Sequence, residues 1–167
     1  MKFENSLYRK LLQPEIDRIQ FPVREIEPHF EMAIHEIKKI PESKANYKYG
    51  DDKWTVSEIL GHLIDTQMVW VFRILWICRG EKGNLMRADE NLWNRTSGYN
   101  SSSIESVLNN YIKLSEATSA FIKTIPAMAL ESEGTVNEVS FTTDQAIATL
   151  IAHEKHHLRI LKERYLS

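Results

Sequence analysis

The segment Ala152-His153-Glu154-Lys155-His156-His157 sets two imidazoles, His153 and His157, four residues apart. On a helix that spacing leaves the side chains about 5–6 Å apart at Cβ, from where both can reach one divalent ion at ~2.0–2.1 Å. Both also lie on the apolar arc of their segment, because Ala146, Leu150, His153, His157 and Ile160 step by four, three, four and three like a packing seam. They therefore point inward, where an imidazole without a partner costs about 1–3 kcal/mol. A third histidine, His62, stands in the apolar run Ile59-Leu60-Gly61-His62-Leu63-Ile64 and is expected to face the same interior. If the two segments are neighbours, His62, His153 and His157 offer three nitrogens and leave one position open, the ligand count of catalytic rather than structural zinc. The plainer alternative is three core histidines satisfied by hydrogen bonds.

The string from His153 to His157 also matches the HExxH pattern of zinc peptidases, in which the glutamate is the general base. Only ten residues follow His157, none of them histidine, so the usual downstream third ligand is missing. Little strand signal exists to hold an extended peptide, and peptidase activity is not expected. Glu154 lies toward the apolar arc and needs a partner, either the metal site or a base such as Arg73. His29 and His35 are six residues apart and do not share a face, and His156 sits at the edge of the arc. None of these three is expected to be a ligand. The single cysteine, Cys78, lies 16 residues beyond His62 on the same segment, roughly 24 Å along a helix, and cannot reach the site.

Four long segments must position these residues. Three open on a capping pattern in which a hydroxyl accepts from a backbone N–H and an acid or amide three residues on returns the bond: Thr55-x-x-Glu58, Ser102-x-x-Glu105 and Thr142-x-x-Gln145. About 20 proline-free residues follow each. An earlier segment, about Glu25 to Ile40, draws one apolar stripe through Phe30, Ala33, Ile34, Ile37 and Ile40 and ends at Pro41. Residues 81–100 lack a sustained period and read as a long crossover with one short turn at most, which would let the helices on either side of it run parallel. Residues 128–140 lack helical periodicity. The leader, residues 1–23, has a weak pattern in Leu7, Leu11, Ile16 and Ile19 and is expected to pack on the bundle. The fold expected is all-α, a four-helix bundle forming a single domain over residues 1–167.

A formal net charge of −2 without a basic cluster argues against nucleic acid as a partner. No apolar stretch reaches the ~20 residues of a membrane span, and the first ten residues carry no secretory h-region. With one unpaired cysteine, a cytoplasmic location is expected.

Residues 53–66 (KWTVSEILGHLIDT), 73–80 (RILWICRG) and 152–166 (AHEKHHLRILKERYL) together resemble the DinB/YfiT-like family of metal-dependent proteins, over roughly Pro28 to Leu166. The resemblance implies a four-helix bundle with a long crossover and a divalent metal, commonly zinc or nickel, held by three histidines that correspond to His62, His153 and His157. Gln67 stands where relatives are expected to carry an acid. Some members look like transferases using a low-molecular-weight thiol such as bacillithiol or mycothiol. The reading that follows is a thiol S-transferase or hydrolase with a small-molecule substrate, with room for a homodimer as its assembly. The alternative is a non-catalytic bundle with a structural metal or none.

Overall fold

The computed structural model describes residues 11–166. Its main helices are α1 (Pro22–Lys38), α2 (Val56–Cys78), α4 (Ile104–Lys123) and α5 (Thr143–Ile160), with a short α3 (Glu90–Ser97) in the crossover between α2 and α4. The expected all-α bundle is present. Its helices pack as a square in which α1 and α2 lie on one diagonal, each against both α4 and α5. Contacts from end to end give the directions. Ser57 donates to the Ser102 carbonyl and Gln67 to Thr118, so α2 and α4 run parallel, as a long crossover permits. Tyr165 donates to the Trp54 carbonyl while His62 meets His153, so α2 and α5 are antiparallel.

Local chemistry starts the helices largely where the sequence predicts. Thr55 and Glu58 form the reciprocal cap of α2, and Thr142 and Gln145 that of α5. The third cap is shifted by one: Ser103, not Ser102, accepts from the Ser106 amide, and α4 begins at Ile104. Three serines in a row can each cap. Burial of Ile104 and Val107 on the face toward the core selects the register. Helix α1 begins at Pro22 rather than Glu25, since proline suits the first helical turn, and it ends at Lys38.

Two connections hold more structure than their composition suggests. The crossover contains α3, capped by Asp89 at its start and closed by Gly98 in the left-handed conformation (φ 77°), together with the two-residue strand β1 (Asn84–Leu85). Residues 128–140 contain strand β2 (Glu133–Val136), which pairs antiparallel with β3 (Val139–Thr142) and parallel with β1. The hairpin turns on Asn137 and Glu138, both at positive φ, the twist that matches a two-residue turn to its strands. The sheet is small and edges the bundle.

The core is aliphatic, with Ile26, Phe30, Leu60, Leu63, Ile74, Ile122, Ile147 and Leu150 buried. Leu12 and Ile19 of the leader are buried with it, while Leu7 and the rest of residues 1–10 lie outside the described residues. Helix α5 departs from a single apolar arc: Thr143 and every residue from Ala146 to Glu154 are buried. The reason is its place between α1 and α2, which gives it two buried faces. Among the described residues no helix is long and apolar enough to cross a membrane.

Candidate metal centre

Because α2 and α5 are antiparallel neighbours, His62 two turns into α2 meets the histidine pair near the end of α5. The His62 and His153 Nε2 atoms are 3.2 Å apart. Two nitrogens sharing a tetrahedral ion at ~2.0–2.1 Å would stand roughly 3.4 Å apart, so this edge is already near the length that a metal requires. The ring centroids of His62 and His157 are 4.8 Å apart, and those of His153 and His157 are 4.5 Å apart. One ligand atom from each of the three lies within 4.8 Å of the others, and no further cysteine, carboxylate or histidine joins this cluster among the described residues. The three rings fit a divalent ion.

Their surroundings keep them neutral. Burial pushes His62 from the usual 6.5 down to about 4, against a small opposing pull from Glu90. Burial, and then the neighbouring imidazoles, hold His153 and His157 well below the ordinary value. Neutral imidazole is the form that ligates, so the fold presents the donors already deprotonated at pH 7. The Trp54 ring flanks His62 at 4.8 Å between centroids and limits its freedom.

Glu154 is the next residue along, about 100° round the helix from His153, and it faces α1 instead of α2. Its Oε2 accepts from His29 Nε2 at 2.9 Å and from the Tyr111 hydroxyl at 2.7 Å, and all three groups are buried. Neither the metal site nor Arg73 is its partner. Arg73 instead stacks on Trp70 and donates to the Met86 carbonyl. The glutamate of the HExxH string therefore ties α5 to α1 and α4 and is not placed as a base beside the histidines. Tyr111, beside this carboxylate and buried, has its phenol held well above the usual value, by burial first. A polar stripe of Tyr111, Ser115 and Thr118, stepping four and three along α4, was the sequence signal for this seam, but its partners come from other helices.

None of the remaining histidines joins the three-histidine cluster. His29 is committed to Glu154, and His35 lies near the C-terminal end of α1, outside the cluster. His156 lines the cavity described below, 3.4 Å from an Arg159 nitrogen, without joining the cluster. Gln67 is buried and donates to Thr118 at 2.9 Å, so it serves the α2–α4 interface. Cys78 is buried at the far end of α2, its thiol pushed up by burial.

A cavity of about 360 Å³ opens beside the histidines, walled by Trp54, Trp70, Trp93 and Phe141. Asp65 and Glu90 also line it. One turn past His62, Asp65 accepts from the Tyr99 hydroxyl at 3.0 Å, and burial raises its carboxyl while that hydrogen bond works the other way. Tyr99 reaches it by crossing over Gly61, where an added Cβ would lie 2.1 Å from the Tyr99 ring. Glycine immediately before the ligand thus lets the crossover press against α2. Tyr99 and Glu90 lie in the crossover and Asp65 on α2, and no spacing in the sequence marks the three as neighbours, because a crossover's contacts are set only on folding.

Parallel second and third main helices, a long crossover and three inward histidines on α2 and α5 define a four-helix bundle with a three-histidine cluster able to hold a metal ion. The chain belongs to the DinB superfamily, whose family profile matches residues 26–161. The structure is similar to that of YfiT from Bacillus subtilis, described as a probable metal-dependent hydrolase with an unusual four-helix bundle topology. The TM-score is 0.73 at 19% identity, over 84% of each chain. No curated protein sequence matches the chain significantly.

Proposed function

We propose that the chain is a metal-dependent enzyme, a hydrolase or a thiol S-transferase of the bacillithiol-using kind, in which His62, His153 and His157 hold zinc or nickel. The observation that carries this reading is the cavity itself, which adjoins a cluster of only three ligating side chains among the described residues. A structural site is closed by a fourth protein ligand and has no use for adjoining space. The description of YfiT as a probable metal-dependent hydrolase supports the same class. When bound, a divalent ion with three neutral ligands supplies a Lewis acid that lowers the pKa of a water or thiol toward neutrality.

The protein's own groups do the rest. His153 is fixed deep in α5, the Trp54 ring confines His62, and the aromatic walls offer a small-molecule substrate an apolar surface beside the histidines. Asp65, anchored by Tyr99, is the carboxylate placed to hold or move a proton at the edge of the cavity. The experiment is to load the protein with cobalt and titrate it with bacillithiol, cysteine or a simple thiol, following the sulfur-to-metal charge-transfer band. The transferase reading expects that band to appear on saturable addition. A cobalt spectrum unmoved by every thiol, with four protein ligands in a metal-bound crystal structure, would leave the metal as a structural pin.

A further inference from the structure

Helix α2 has one side that the rest of the bundle leaves uncovered. Counting about 100° per residue from Phe72, the positions Asp65, Met68, Val69, Leu75, Trp76 and Arg79 all fall within about 60° of it. The Tyr99 ring lies over this side at Gly61, one turn before Asp65. From Met68 onward large apolar side chains face outward instead: Met68 is 57% exposed, Phe72 50% and Leu75 40%. Trp93 of α3, 37% exposed, flanks them and lines a shallow groove with Met68, Val69 and Phe72. A contiguous apolar patch with polar ends is the mark of an interaction surface.

Its charges say what would cover it. Arg73 is the only charged residue between Asp65 and Arg79 in sequence, and it is buried, turned about 100° from Phe72 and part of the histidine cavity wall. The uncovered side therefore carries an acid at one end, a base at the other and apolar surface between, with Phe72 seven residues from each. Opposite charges at equal distances from a centre make a face complementary to itself turned end for end. An antiparallel copy of α2, related by a two-fold axis at Phe72, sets Asp65 against the partner's Arg79, Met68 against the partner's Trp76 and Val69 against the partner's Leu75. A parallel copy would set like charges side by side.

The size of the patch fixes the strength expected. At about 200 Å² for a fully exposed large side chain, the exposed parts of Met68, Phe72, Leu75 and Trp93 amount to roughly 370 Å² per copy. A standard stable interface takes about 800 Å² from each partner, with an apolar centre and a polar rim, so this patch supplies the centre of an interface of micromolar affinity. The charged ends set its direction more than its strength, because exposed ion pairs contribute at most about 1 kcal/mol. Asp65 also accepts from Tyr99, and an Arg79 nitrogen lies 3.8 Å from the Cys78 sulfur, so both ends are held in place from within the chain.

We propose that the uncovered side of α2 is a homodimer interface, formed with a second copy of this chain across a two-fold axis at Phe72. Asp65, Val69 and Trp93 line both the groove and the histidine cavity, so the second copy backs the outer wall of that cavity. The proposal is independent of any metal or reaction at the histidines.

Sedimentation of the full chain over a concentration series tests it. The wild type should approach twice its 19.5 kDa chain mass with a micromolar dissociation constant. Phe72→Glu, which sets two carboxylates against each other on the axis, should weaken the dimer at least about tenfold while leaving the far-UV circular dichroism unchanged. Arg79→Glu should weaken it severalfold at low salt and less at high salt. A second measurement reads the register. In a Cys78→Ser background, Phe72→Cys should form an intermolecular disulfide on mild oxidation. Met68→Cys should not, since its two copies would stand eight residues, about 12 Å, apart along the pair, beyond the ~7 Å Cα separation that a disulfide tolerates. A wild type that stays monomeric throughout the series would overturn the proposal, whatever else might cover the face. So would a dimer that withstands Phe72→Glu, or one that cross-links as readily at 68 as at 72.

Discussion

Replacing Gly61 with alanine should destabilise the protein through one identifiable collision. The new Cβ would lie 2.1 Å from Cδ2, 2.2 Å from Cγ and 2.5 Å from Cε2 of Tyr99, where ordinary contact begins at about 3.4 Å. The ring must retreat by more than an ångström or the crossover must lift from α2. Overpacking of this kind costs typically 1–3 kcal/mol. Loss of the Tyr99 hydroxyl bond to Asp65 adds about 1 kcal/mol. Alanine gives back roughly 0.5–1 kcal/mol as the better residue in a helix interior. The net expectation is a loss of about 1–3.5 kcal/mol, read as a lower urea midpoint at unchanged slope. In a Tyr99→Ala background those ring atoms are gone, so the same substitution should be neutral or stabilising by up to ~1 kcal/mol. The two changes are then strongly coupled in a double-mutant cycle. If Gly61→Ala costs as much without Tyr99 as with it, the contact across the crossover is not what the glycine serves.

Two further outcomes follow from the buried polar groups. Glu154→Ala strips the shared acceptor from His29 and Tyr111 and should cost about 3–5 kcal/mol, while Glu154→Gln keeps an acceptor oxygen and should cost clearly less. In urea titrations, equal losses for the two variants would contradict this. Burial holds His62 at about 4, so as pH falls below 6.5 the unfolded chain takes up a proton that the folded metal-free protein refuses. Stability is unaffected by this group above pH 7 and declines through the window from 6.5 to 4, by roughly 2.5 kcal/mol at pH 4.5. Urea midpoints of metal-free His62→Asn protein should fall less steeply over that window than those of the wild type.

What could be read before folding was whatever depends on spacing within one segment. His153 and His157 declare themselves because four residues on a helix fix a distance, and His62 because its apolar run turns it toward the same interior as that pair. The caps of α2 and α5 are local hydrogen bonds between residues three apart, and they form as expected. Glu154 failed the same reading because its partners, His29 and Tyr111, come from two other helices, and nothing in the order of residues brings them together. Strands β2 and β3 escaped notice because their turn is Asn137-Glu138, with no glycine to advertise positive φ. Helix α3 did carry signals, Asp89 before it and Gly98 after it, but its eight residues are too few for a period to emerge.

The central claim is that three histidines, and only those three, make a metal site. Elemental analysis of protein purified without chelator or histidine tag, followed by zinc titration of the metal-free wild type and of His62→Ala, His157→Ala and His156→Ala, tests it most directly. The expected result is one ion per chain for the wild type, affinity retained in His156→Ala, and at least about a tenfold loss in each of the other two. Metal bound equally by all four proteins, or by none of them, would contradict it.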